Sequence, residues 1–262
     1  MEKEKVYKSE SIRSKVIIPG DSSELPDDFF NVAVFIDNAY LIRLKNYFFK
    51  RKFKYSLKDF VLKIAEANNL VVEKIFIYDA PPFQTENPTE WENKKKEDYD
   101  KFASYFREEE IILREGRTQR LKIGDKFVYR QKGVDMLLGI DAVSAKNDFP
   151  NIKVVVLLTG DSDFVPVVEK LKKLMIPVFL WTYFEKIRGS PFSKSNFLIK
   201  SVSRHFKLTK ECFETSEILN LPALARESRG ISDSDQEPQH AQDFSLRVLD
   251  NAEIKEVKNE KK

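Results

Sequence analysis

Short, unbroken apolar runs alternate with segments in which apolar positions recur every three or four residues, across residues 31 to 182. The runs are Val32 to Ile36, Val71-Val72 with Ile75 to Tyr78, Ile111 to Leu113, Val154 to Leu158, and Pro177 to Trp181. A run that is apolar at every position suits a strand covered on both faces. The intervening segments predict helices over residues 38 to 50, 57 to 68, 89 to 108 and 133 to 145, and another following Asp163. In the second of these, Leu57, Phe60, Val61, Ile64 and Ala65 fall on one face. Arg120 to Arg130, with Gly124-Asp125 at its centre, predicts a hairpin. Residues 196 to 208 predict one final amphipathic segment. Strands alternating with helices define an α/β domain with a mostly parallel sheet.

This pattern bounds the domain at residues 31 to 210. Residues 1 to 30 are polar and patchy and predict a flexible lead-in, with a short strand at Val16 to Ile18. From 211 to 262 the periodicity fades and Ser, Asp, Gln and Glu accumulate, which predicts a disordered acidic tail with a short docking segment at Phe244 to Val248. A partner bound through this tail, or a second copy of the chain, is an open expectation.

Composition narrows the chemistry. The sequence contains one cysteine, Cys212, and two distant histidines, His205 and His240, so disulfide frameworks, Cys-based zinc sites and His-rich metal centres are hard to assemble. Neither G-x-x-x-x-G-K-[ST] nor G-x-G-x-x-G occurs. Catalysis must then rest on carboxylates, hydroxyls, Lys and Arg. No apolar stretch reaches membrane-spanning length, and the charged start Met1 to Glu10 lacks an apolar core, so the expectation is a cytoplasmic protein without membrane contact.

The net charge of +3 hides an uneven distribution: residues after 210 sum to −5 and those up to 210 to +8. The bases gather in three acid-poor runs, over residues 43 to 58, 114 to 132 and 186 to 210. Lys52 lies in the first, and Arg117, Arg120, Arg130 and Lys132 lie in the second. Tyr47, Phe48, Phe49, Phe53 and Tyr55 interleave the first run. Basic groups neutralise phosphates and exposed rings stack on unpaired bases. A single such run is usually a solvated face, and Phe48 and Phe49 suit a core equally well. Three runs in one domain favour a polyanionic partner.

In parallel sheets, ligands bind beyond the carboxyl ends of the strands. Asp37 directly follows the first run, and Asp161 and Asp163 follow Val154 to Leu158 across Thr159-Gly160. Asp135 stands at the predicted start of a helix, and Asp141 six residues later falls on another face, suiting a supporting role. Aspartates gathered on one rim repel one another unless a cation neutralises them. An all-oxygen set suits Mg²⁺ or Mn²⁺, and such ions serve phosphoryl chemistry by activating water and polarising phosphoryl oxygens. Thr159 and Ser162 could orient the carboxylates. The plainer reading is helix capping by Asp37 and by one of Asp161 and Asp163, with Asp135 complementing a helix dipole.

Val34-Phe35-Ile36-Asp37, Lys132-Gly133-Val134-Asp135 with Asp141 following, and Thr159-Gly160-Asp161-Ser162-Asp163-Phe164 together resemble the NYN domain, a branch of the PIN-like nuclease superfamily. The resemblance spans roughly residues 31 to 208. It implies a three-layer PIN-like, Rossmann-like α/β fold and an Mg²⁺- or Mn²⁺-dependent ribonuclease. It also implies that Asp37, Asp135, Asp161 and Asp163 are the acidic cluster. Many members carry Asn three residues after the first Asp. Here that position is Tyr40, and an Asn stands instead at Asn38, where it could contact the ion or phosphate or cap the helix.

The leading expectation is hydrolysis of RNA phosphodiester bonds at this cluster, endonucleolytic rather than exonucleolytic. Lys132, Arg130, Arg117, Arg120 and Lys52 would hold flanking phosphates. The alternative is a catalytically quiet RNA-binding or protein-interaction module of the same fold. A phosphohydrolase using Asp37 as nucleophile would need a second Asp two residues on, where Ala39 stands.

Overall fold

The computed structural model describes residues 30–49, 53–124, 126–185, 190–192 and 195–216. Lys52, the strand expected at residues 16–18 and the docking segment expected at 244–248 lie outside the described residues. In chain order the elements begin with β1 (Phe30–Asp37), α1 (Asn38–Phe48), α2 (Leu57–Glu66), β2 (Leu70–Asp79), α3 (Glu90–Glu108) and β3 (Ile112–Glu115). The hairpin β4 (Arg117–Ile123) and β5 (Lys126–Lys132) follows, then α4 (Val134–Asp148) and β6 (Val154–Leu158). The last elements are α5 (Val165–Lys173), β7 (Val178–Thr182), α6 (Asn196–Ser201), β8 (Arg204–Lys207) and α7 (Lys210–Glu214).

Six strands form one sheet in the order β3-β2-β1-β6-β7-β8, and every pairing in it is parallel. Side chains alternate across a strand, so the apolar runs feed two cores. Val32, Val34, Ile36, Val154, Val156, Phe179 and Trp181 face a layer that includes Leu41, Phe60, Val61, Phe106 and Phe213. Ala33, Phe35, Val155, Leu157, Val178 and Leu180 face a second layer with Leu138, Val168, Leu171 and Leu198. Helices therefore cover both faces of the sheet, giving the three-layer PIN-like α/β fold.

Local chemistry sets the element ends. The Ser56 hydroxyl accepts from the Asp59 amide at the start of α2, and Thr89 and Glu92 form a reciprocal capping box at the start of α3. The predicted amphipathic segment at 196 to 208 divides in two. Its first half is α6, whereas Arg204–Lys207 pairs with β7 as the sheet edge. Four residues, exposed at both ends and half-buried between, carry too little periodicity to distinguish a strand from a helix end. The packed structure continues into α7, where Phe213 is fully buried against Phe48, Phe49, Tyr55 and Phe60. Phe48, Phe49, Phe53 and Tyr55 are thus core and core margin rather than a stacking platform.

The chain proceeds from β1 outward through β2 to β3, then returns past β1 to β6 and outward to β8. Strand order reverses between β1 and β6, which opens a crevice at their carboxyl ends.

Candidate active site

Asp37 closes β1 on one side of this crevice, and Thr159 to Asp163 leave β6 on the other. One Asp37 oxygen accepts the Tyr40 amide (3.0 Å), and the other accepts the Thr159 hydroxyl (3.0 Å). The same Thr159 hydroxyl accepts the Asp161 amide (3.2 Å), so one buried threonine ties the two strand ends together. Asp161 in turn accepts the Asp163 amide (2.9 Å) and caps the single-turn 3-10 helix Ser162–Phe164. Both capping readings therefore hold, for Asp37 and for Asp161. They do not exclude a further role, because a carboxylate oxygen has a second lone pair.

Asp135 enters from α4. Gly133, at a φ of 82°, lets the chain turn from β5 into that helix, a conformation that favours glycine. Burial, opposed by its hydrogen bonds and reinforced by repulsion from Asp135, pushes the Asp37 carboxyl from 3.8 up to about 6. Asp135 itself is raised, first by partial desolvation and then by Asp161 and Asp163. The four aspartates thus share one electrostatic neighbourhood with Asp135 at its centre. Asp135, Asp161 and Asp163 are exposed, as is Ser162, so the group opens to solvent.

Among the described residues, no three His, Cys, Asp or Glu side chains stand close enough to hold a metal ion as a set. Mg²⁺ commonly takes one or two carboxylates and keeps its waters, so it needs no three-acid cage. The all-oxygen donors and the mutual repulsion of the carboxylates fit a hydrated divalent cation of this kind.

Asp141 belongs elsewhere. It pairs with Arg114 (2.8 Å) and accepts the Tyr78 hydroxyl (2.9 Å), bridging α4 to the ends of β2 and β3. Asn38 also turns away from the crevice opening: its amide donates to Asp79 at 2.6 Å, and both residues are buried. Asp79 further accepts the Ala80 amide and the Gln131 amide, each at 2.7 Å. Burial raises its pKa against these stabilising bonds. Asp79 ends β2 as Asp37 ends β1, and the rim rule applied to every strand would have singled it out.

Tyr40 explains its own departure from the family pattern. Its ring lies where a Cβ on Gly160 would approach to 2.6 Å. Its hydroxyl bonds with Thr182 (3.1 Å) and receives the Tyr183 amide (2.7 Å). Tyr40 is therefore a buried prop beneath the Gly160-Asp161 turn and presents no side-chain carboxamide to the crevice.

Lys132, Arg130 and Arg117 are exposed on the hairpin and form no ion pair among the described residues. Arg120 differs, with its guanidinium 4.8 Å from the Phe83 ring centre and 4.6 Å from that of Phe127.

The NYN domain family model matches residues 31–208, and the chain belongs to that family, whose fold is the PIN-like nuclease fold. No curated protein sequence matches. Among solved structures, a protein of unknown function from Vibrio parahaemolyticus is similar with a TM-score of 0.48 and 14% identity, over 70% of this chain and 95% of that one. MurG of Acinetobacter baumannii is similar with a TM-score of 0.27 and 12% identity, over 60% of this chain and 37% of that one. Among the described residues no helix is long and apolar enough to cross a membrane.

Proposed function

We propose that this protein is a divalent-cation-dependent ribonuclease that hydrolyses RNA phosphodiester bonds in the crevice between β1 and β6. One observation carries the reading: the Thr159 hydroxyl ties Asp37 and Asp161 together at the strand-order switch point of an NYN-family fold, with Asp135 within electrostatic reach. Asp37 and Asp135 would hold a hydrated Mg²⁺ or Mn²⁺, and Asp161 and Asp163 would bind its waters, orient the attacking water or hold a second ion. When bound, the cation supplies charge neutralisation and a lowered pKa for water. The chain's own residues do the rest. Thr159 fixes the spacing of the Asp37 and Asp161 ends through its two hydrogen bonds. Arg117, Arg130 and Lys132 offer cations to flanking phosphates. The exposure of Asp135, Asp161 and Asp163 suits an internal stretch of RNA, and so endonucleolytic cutting.

The absence of a three-acid metal set among the described residues favours a second reading, an RNA-binding module that does not cut. Cleavage of a labelled RNA in Mn²⁺ separates the two. Wild type should cut and Asp161→Asn should not, and equal cutting by both would refute the assigned site.

A further inference from the structure

The hairpin β4–β5 forms its own two-stranded sheet, rising from the rim between β3 and α4. A two-stranded ribbon alone is marginal in water, and one face of this one is anchored to the segment after β2. Cross-strand register puts Thr118 beside Gln131 and Arg120 beside Tyr129. Thr118 donates to the Pro81 carbonyl (2.6 Å), Gln131 donates to Asp79, the Tyr129 ring lies 5.9 Å from Phe83, and Arg120 covers Phe83. These contacts all belong to the alternation that faces the segment after β2.

The opposite alternation carries Arg117 beside Lys132 and Gln119 beside Arg130. Like charges directly opposite each other destabilise a ribbon, and neither strand contains an acid to relieve them. All three cations are exposed and without an ion pair among the described residues. The face is also aimed. Lys132 is three residues before Asp135, and Asp79 bonds Gln131 of the arm and Asn38, the neighbour of Asp37. One buried carboxylate therefore fixes the arm relative to the crevice.

We propose that the outer face of the β4–β5 hairpin is a clamp for the phosphate backbone of single-stranded RNA, holding the strand at the mouth of the crevice through Arg117, Arg130 and Lys132. The choice of RNA rests on the nuclease reading; the polyanion chemistry rests on the arm itself. Arg120 is a buttress of the inner face and not part of the clamp.

Binding of a fluorescent single-stranded RNA by the full chain tests this, measured by anisotropy in EDTA across a salt series so that cutting plays no part. Arg117→Ala with Arg130→Ala should weaken binding several-fold and flatten the log-log salt slope by about 1.4, at about 0.7 per lost phosphate contact. Arg117→Lys with Arg130→Lys should retain the slope. Removing two charges elsewhere, with Lys172→Ala and Lys173→Ala on exposed α5 positions, should leave affinity nearly unchanged. Equal weakening by both alanine pairs, or a Lys pair as weak as the Ala pair, overturns the clamp. A clamp that binds as described while wild type fails to cut in Mn²⁺ keeps this inference and removes the nuclease reading; cutting with an ineffective Ala pair does the reverse.

Discussion

Replacing Asp37 with Asn should reverse its effect on stability as pH rises. Burial and Asp135 raise the folded-state carboxyl from 3.8 to about 6. The folded protein thus binds the proton more tightly than the unfolded chain. The carboxyl's contribution to stability is fully present below about pH 4 and is lost as pH rises through 6. Two pH units correspond to about 3 kcal/mol, and partial exposure of Asp37 reduces this to about 2 kcal/mol. Asparagine cannot ionise. Its side-chain oxygen can still accept the Tyr40 amide, but its nitrogen cannot accept the Thr159 hydroxyl, a loss of about 1 kcal/mol at any pH. Asp37→Asn should therefore be less stable than wild type by about 1 kcal/mol at pH 4 and more stable by a similar amount at pH 7. Urea denaturation at the two pH values measures both. At pH 7.5, Mn²⁺ at one hundred times its Kd should stabilise wild type by about 2.7 kcal/mol and Asp37→Asn far less. A stability gap that stays constant from pH 4 to pH 7 would refute the claim that this carboxylate carries an uncompensated charge.

Other consequences follow from particular contacts. Gly160→Ala drives a methyl into the Tyr40 ring and should cost about 1–3 kcal/mol, a cost that should largely vanish in a Tyr40→Ala background, as a double-mutant cycle by chemical denaturation would report. Gln131→Leu strips one donor from buried Asp79 and should cost about 1–3 kcal/mol in the same assay; no loss would mean the hairpin is not tied to the rim. Asp141→Asn should leave metal-dependent RNA cleavage unchanged, since Asp141 serves Arg114 and Tyr78; a loss in a single-turnover assay would return it to the site. Phe213→Ala empties the centre of an aromatic cluster and should cost about 3–5 kcal/mol, read as a fall in denaturant midpoint.

Much of the fold was legible because strands covered on both faces have no polar alternation to confuse them. Val32 to Ile36 and Val154 to Leu158 announce themselves as buried strands, and the rim rule then leads directly to Asp37 and Asp161. What stayed hidden depends on pairing across sequence distance. Asp79 looked like a strand stop because its partners Asn38 and Gln131 are 41 and 52 residues away. Arg120 looked equivalent to Arg117 because a run of bases does not declare which side of a ribbon each residue takes. The register decides it, and the hairpin proved longer at both ends than the turn signal implied, reaching Arg117 and Lys132. Tyr40 could not be read as a prop without knowing that the Gly160 turn passes over its ring.

Capping and catalysis compete in the sequence as explanations for Asp37 and Asp161; the structure shows the capping bonds, and under the nuclease reading the two roles would cooperate. A capping bond fixes a carboxylate against the backbone and so removes the rotamer freedom that a metal or phosphate ligand must otherwise lose on binding. The same bonds oppose the rise in pKa that burial imposes, which holds the Asp37 carboxyl at about 6. Among the described residues Asp135 has no such side-chain anchor, and its carboxyl is repelled by Asp161 and Asp163. The site therefore combines two anchored acids with one held in repulsion. That arrangement is costly for a scaffold, and under the nuclease reading a bound ion would supply the charge that offsets it.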